Sequence, residues 1–194
     1  MSQLIFRYGT VSSTKTLGLL AIAHANKRQG KNTMLMKPDI DTRYAIDVIK
    51  SRAGVEATVH CVITKQTDLV KDVSYDNVEI VLVDEAQFLS PRHINQLREV
   101  TMKHAIIVIC FGLKADFKGQ LFPGSKRLFE LSDEIEEIKS TCHFCLSKSS
   151  QNLKHNDGKP VVDGDSIEIG SEELYLPVCF KCYYNKTGNL DLNK

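Results

Sequence analysis

The 194-residue sequence has no excess of charge of either sign: 25 Lys and Arg stand against 24 Asp and Glu, a formal net charge of +1. A chain that gripped nucleic acid non-specifically would present a basic field, so that class is not indicated. No apolar run approaches the roughly 18 residues needed to span a bilayer. The opening Met1-Ser2-Gln3-Leu4-Ile5-Phe6-Arg7 lacks a basic start followed by a long apolar stretch, so no export signal is expected. These absences lead us to expect a cytoplasmic protein with no membrane or nucleic-acid partner. Internal repeats and low-complexity tracts are also missing, which argues against solenoids and disordered linkers. What is present is ordinary for a globular chain, with 42% hydrophobic and 25% charged residues. The length allows one substantial core and a small satellite unit.

Residues 4–8 form a short apolar run ending at Gly9, read as a buried first strand. The spacing of Leu17, Leu20, Ala21 and His24 predicts a helix from Lys15 to Gln29, ended by Gly30. Residues 33–36 read as a second strand that Lys37-Pro38 ends. Residues 78–83 are the clearest strand. Residues 105–111 are apolar on both faces, as a central parallel strand would be. Ser90 and Pro91 read as the N-cap and first residue of another helix. Residues 39–77 are mixed. Strands alternating with helices imply an α/β core with a mostly parallel sheet.

Between the first strand and first helix lies Gly9-Thr10-Val11-Ser12-Ser13-Thr14-Lys15-Thr16. It resembles the phosphate-binding pattern G-x-x-x-x-G-K-[ST], with Thr14 in place of the second glycine. In that pattern backbone N–H groups wrap a polyphosphate, a helix N-terminus faces it and the Lys reaches its outer oxygens. The Thr16 hydroxyl is then placed for Mg²⁺. Losing the glycine matters because the position often needs a backbone geometry that a β-branched residue adopts at a cost of roughly 1–3 kcal/mol. A Ser/Thr-rich surface turn is the plainer alternative. Asp84-Glu85 closes the clearest strand, as a Walker-B acid does, where Mg²⁺ is held at the carboxyl edge of a sheet. Glu85 is the candidate to accept a hydroxyl proton, and a solvated carboxylate is its alternative.

Six cysteines are present. Cys61 and Cys110 stand alone, and Cys110 sits within an apolar run, where a cysteine is usually a small buried hydrophobe. Cys142-His143-Phe144-Cys145 and Cys179-Phe180-Lys181-Cys182 are two C-x-x-C pairs that together supply four thiolates for a tetrahedral site suited to Zn²⁺. Four protein ligands close such a site, so the metal is structural. Redox dithiols and disulfides are the competing readings, and the absence of an export signal weakens them. The chain is therefore divided into residues 1–140, a nucleotide-binding α/β unit, and residues 141–194, a small zinc-binding unit.

This ordered set resembles the zinc-containing thymidine kinases of the cellular, bacterial and phage type, over essentially the whole chain. The matching stretches are residues 9–16, Lys37-Pro38 with Asp41-Thr42-Arg43, Val83-Asp84-Glu85-Ala86-Gln87-Phe88, Gly112-Leu113 with Asp116-Phe117, the cysteine pairs and Tyr175. The resemblance implies a RecA-like P-loop domain plus a zinc domain whose long lasso loop closes over thymidine. It implies transfer of the γ-phosphoryl group of ATP to the thymidine 5′-hydroxyl. Gly9, Thr10, Val11, Ser12, Ser13, Thr14 and Lys15 would hold the phosphates, and Thr16 and Asp84 the Mg²⁺. Asp41, Thr42, Arg43 and Gln87 would belong to the same ATP and Mg²⁺ set, and Glu85 would be the general base. Phe88, Leu113 and Phe117 would line the thymine pocket. Ser166, Ile167, Glu168, Ile169 and Gly170 would offer lasso backbone to the base, and Tyr175 would pack on it. A homotetramer or dimer and inhibition by the end product dTTP also follow from the resemblance. Val11 stands where the family often has a larger Met.

Two rival readings differ in class. The D-E-x-x tetrad at Asp84 also suits a helicase box, although such motors need two RecA-like halves. A degenerate kinase that only binds nucleoside, or serves as a zinc-stabilised interaction protein, is the other.

Overall fold

The computed structural model describes residues 2–41, 44–164 and 174–188. The central sheet uses β1 (Gln3–Gly9), β2 (Thr33–Pro38), β5 (Cys61–Ile63), β6 (Ile80–Val83), β7 (Ile107–Leu113) and β8 (Glu134–Glu137). Its six strands run in the order β5-β2-β6-β7-β1-β8, with every pairing parallel. Alternation along the strands explains why both faces are covered. Leu4, Phe6, Val81, Val83, Val108 and Cys110 point to one face and pack with Ile94, Leu97 and Val100 of α2 (Pro91–His104) and Leu128 of α3 (Pro123–Leu131). Ile5, Leu82, Ile109 and Phe111 point to the other and pack with Leu19 and Leu20 of α1 (Lys15–Arg28). Cys110 is a buried core residue, and burial raises its thiol pKa.

Local details refine the expectations. Gly30, in left-handed geometry at φ 74°, follows the cap of α1. The buried side of α1 runs through Lys15, Leu19, Leu20 and Asn26; of the residues whose spacing predicts the helix, Leu20 is buried, Leu17 half-buried, and Ala21 and His24 exposed. Lys37 and Pro38 continue β2 rather than ending it. β7 begins at Ile107, because Ala105 takes the left-handed cap of α2 at φ 55°. The mixed stretch holds β5 and a hairpin of β3 (Val48–Lys50) and β4 (Glu56–Thr58).

After β8 the chain leaves the sheet. β9 (Gln151–Asn156), β10 (Lys159–Pro160) and β11 (Tyr175–Val178) form a small antiparallel sheet beside α4 (Phe180–Thr187). Its buried cluster is Cys142, Leu153, Val178, Cys179 and Tyr183. Two of those five residues are cysteines, so among the described residues this unit has little apolar surface to hold it, and a cross-link of another kind would help.

Candidate active site

The loop after β1 is built against the sheet edge. A side chain at Gly9 would collide with Ser13 Oγ and the Ile138 carbonyl oxygen, which makes glycine necessary there. Thr14, at φ 63° and ψ 20°, is the cap of α1, and its side chain makes no capping bond. The first turn of α1 holds no acid either. Its leading N–H groups therefore have no side-chain cap, which suits an anion. Ser12 is also left-handed, at φ 58°. The strain expected at the missing glycine is thus present: a β-branched residue occupies the left-handed region.

Lys15 is buried, and its Nζ donates to the Thr10 carbonyl at 2.7 Å and to Ser13 Oγ at 3.3 Å. The Thr16 hydroxyl donates to Asp84 Oδ2 at 3.1 Å, joining the loop to the end of β6. Asp84 N–H donates to the Met36 carbonyl at 3.0 Å, which seats the acid between β2 and β6. Glu85 is buried and left-handed at φ 49°. Its Oε2 accepts from Gln87 Nε2 at 2.5 Å, and Gln87 Oε1 accepts Leu113 N–H at 3.0 Å. Gly112 leaves room for this brace, since a Cβ there would lie 2.6 Å from Gln87 Oε1. Gln87, 1% exposed, thus orients Glu85 from behind and is not among the cavity-lining residues.

A cavity of about 370 Å³ opens over the loop, lined by residues 11–17, Glu85 and Leu113 on one side and by Tyr44, Lys50, Ser51, Arg52 and Ala53 on the other. The second wall is the β3–β4 hairpin, which sequence reasoning missed. Arg52 Nη1 donates to Ser12 Oγ at 2.8 Å, so the hairpin tip touches the loop. Lys37, fully buried, secures the hairpin's base by donating to the Val48 carbonyl at 2.9 Å and pairing with Asp41 Oδ2 at 3.2 Å. A lysine inside an otherwise apolar strand was the signal available in the sequence, because a buried ammonium must be paired. Asp41 is accordingly buried beside Lys37 and holds the hairpin's approach.

The remaining expected residues fall in two places. Leu113 is in the cavity wall. Phe117 is fully buried, its ring centroid 6.4 Å from that of Tyr175, with Lys154 Nζ 5.1 Å from its centroid. Phe88 is half-buried and stacks edge-on against Phe122. Thr42, Arg43 and Ser166, Ile167, Glu168, Ile169 and Gly170 lie outside the described residues.

Cys142, Cys145, Cys179 and Cys182 place their four sulfurs within 4.8 Å of one another. Sulfur pairs at 3.7 Å (Cys145–Cys179) and 3.9 Å (Cys145–Cys182) match the edge of about 3.8 Å that tetrahedral Zn–S bonds of roughly 2.3 Å would give. The Ser147 backbone N–H pulls the Cys145 thiol down to about 6. A hydrogen bond with Cys179, with burial second, pushes Cys182 up to about 12. A cation taking all four as thiolates would resolve this competition for protons. His143 is exposed and lies outside the sulfur cluster.

A family model described as thymidine kinase matches residues 2–183. The thymidine kinase of Streptococcus gordonii is 40% identical over 186 residues, covering 95% of this chain and 97% of that protein. That of Enterococcus faecalis is 41% identical over 192 residues, covering 97% and 98%. Among solved structures, the Pif1 helicase from Candida albicans overlays with a TM-score of 0.42 at 12% identity, covering 72% of this chain and 36% of that one, too loosely to bear on function. Neither the helicase nor the inert reading is favoured by these matches, which run end to end along the chain and its relatives alike: the chain belongs to the thymidine kinase family.

Proposed function

We propose that this chain transfers the γ-phosphoryl group of ATP to the 5′-hydroxyl of thymidine, with the cavity over the phosphate loop as the ATP site. The observation that carries the reading is that Lys15 and Glu85 share one cavity at the carboxyl edge of the sheet. The 5′-oxygen attacks the γ-phosphorus, the bond to the β–γ bridging oxygen breaks, and Glu85 takes the hydroxyl proton. Residues 12–15 of the loop, with Lys15 Nζ, neutralise the phosphates, and Arg52 adds a cation from the hairpin. Thr16 and Asp84, two hard oxygen donors in contact, would hold Mg²⁺, which supplies charge neutralisation on the phosphate oxygens. Gln87 keeps Glu85 in place, Asp41 holds Lys37 beneath the hairpin, and Thr42 and Arg43 serve the sugar and phosphates.

Leu113, Phe88, Phe117 and Tyr175 form the apolar and aromatic side of the thymine pocket, and the lasso backbone at residues 166–170 reads the edge of the base. The division at residue 140, a homotetramer or dimer, inhibition by dTTP and a cytoplasmic setting complete the reading. No helix among the described residues is long and apolar enough to cross a membrane.

Phosphorylation of radiolabelled thymidine with MgATP tests the proposal. Glu85→Gln should lower kcat by about 10²–10⁴-fold while thymidine still binds. Equally inert wild type and variant that both bind thymidine would sink the enzymatic reading in favour of a binding protein. Metal analysis should find one zinc per chain held by the four cysteines.

A further inference from the structure

We infer that Asn152 is a positioning residue that ties the cysteine-bearing unit to both substrate sites. The inference rests on the kinase reading above. Asn152 is buried on β9, and its amide spans two separate segments of the large unit. Its Oδ1 accepts Val11 N–H at 2.9 Å, and its Nδ2 donates to the Ala115 carbonyl at 3.0 Å. Val11 belongs to the phosphate loop. Ala115 lies two residues before Phe117, whose ring faces Tyr175. A side-chain amide accepts on one atom and donates on its neighbour in this flat geometry. Because Val11 N–H is directed into Asn152, it is not a phosphate ligand: Asn152 sets the path of the loop and leaves the anion to the residues after it.

Neighbouring contacts carry the same grip to the lysine. Thr10 Oγ1 lies 2.8 Å from Ser140 Oγ and 2.9 Å from Ser149 Oγ, while the Thr10 carbonyl accepts Lys15 Nζ at 2.7 Å. On its other side β9 is held close to the cysteines. Ser150 N–H donates to the carbonyl of Val178, the residue before Cys179, at 2.9 Å, and Asn152 stands opposite Pro177 in the β9–β11 ladder. A continuous hydrogen-bonded path therefore runs from the second cysteine pair through β9 to the phosphate loop and to the Phe117 segment.

The amide's two ends can be separated. Asn152→Asp, kept ionised by working at about pH 8, keeps an oxygen to accept Val11 N–H but turns its other oxygen on the Ala115 carbonyl, which repels it. Asn152→Leu leaves both backbone groups buried without partners. Calorimetric dissociation constants for MgATP and for thymidine, measured separately on zinc-replete protein, read the result whether or not turnover is detected. Asn152→Asp should weaken thymidine about tenfold and leave MgATP within about twofold, and Asn152→Leu should weaken both about tenfold. Zinc content should equal that of the wild type in both variants. If both constants move by the same factor in Asn152→Asp, if neither moves, or if zinc is lost, the inference is overturned. The Asp variant alone decides should the Leu variant fail to fold. Absence of kinase activity in the wild type strikes the kinase reading instead, and the binding split still decides this one.

Discussion

α1 and α2 each follow a strand of the same sheet, yet they begin in opposite ways. Ser90 caps α2 from an extended backbone, its Oγ accepts His93 N–H at 3.2 Å, and Pro91 opens the first turn. Thr14 begins α1 from the left-handed region with no side-chain cap. The first start is satisfied and relaxed. The second is strained and keeps its N–H groups for an outside anion. Three of the six non-glycine residues at positive φ among the described residues, Ser12, Thr14 and Glu85, surround one cavity, while Asn77, Ala105 and Asp157 lie elsewhere. Such strain persists only where the surroundings over-determine it, which here means the Gly9 contact, the Asn152 bond and the Gln87 brace.

The sharpest way to break this comparison is at the open helix start. Lys15→Ala should lower kcat/KM for ATP by about 10²–10³-fold in steady-state assays, because a positioned cation is lost from the phosphate site. Next is the hairpin tip: Arg52→Ala should raise the KM for ATP about five- to tenfold and leave that for thymidine unchanged. Arg52 is exposed, so its contribution should shrink as salt rises. At the relaxed start, Ser90→Ala should cost about 1 kcal/mol, seen as a fall in Tm of about 2–4 °C with unchanged kinetic constants. Thr14→Gly should do the reverse. Relief of about 1–2 kcal/mol of left-handed strain, less about 0.5–1 kcal/mol of added chain entropy, leaves a small gain in Tm and an equal or lower KM for ATP. A large loss of activity in that variant would refute the strain argument.

The smallest effect lies on the relaxed side. Arg98 of α2 pairs with Asp133 before β8, and that bond, with Leu4 N–H second, holds the Asp133 carboxyl below its ordinary pKa. A lowered folded pKa contributes stability that is complete above the unfolded value of about 3.9 and is lost as pH falls through the folded one. Asp133→Asn should therefore flatten the acid limb of a Tm-versus-pH curve below about pH 4.

Legibility followed how local the information was. The lysine, the hydroxyl, the acids and the cysteine pairs each sit in a pattern only a few residues long, so the sequence alone singles them out. The hairpin was not, because β3 and β4 have three residues each and too little periodicity to show. Gln87 was read as part of the ATP and Mg²⁺ set, yet it braces Glu85 against Leu113, 26 residues along the chain. The existence of α1 was legible while the face it turns to the sheet was not, because a helix with little amphipathic contrast leaves the sheet to choose.

The bare sequence determined the chemistry of this protein: which groups can carry charge, donate a thiolate or give a backbone turn, and in what order they come. The folded chain decided which of them meet. Asn152 finds Val11 across 141 positions, and the hairpin finds the loop, because sheet packing and the cysteine cluster bring distant segments into contact. Periodicity reports only neighbours in the chain, and a hydrogen bond between segments so far apart leaves no local trace.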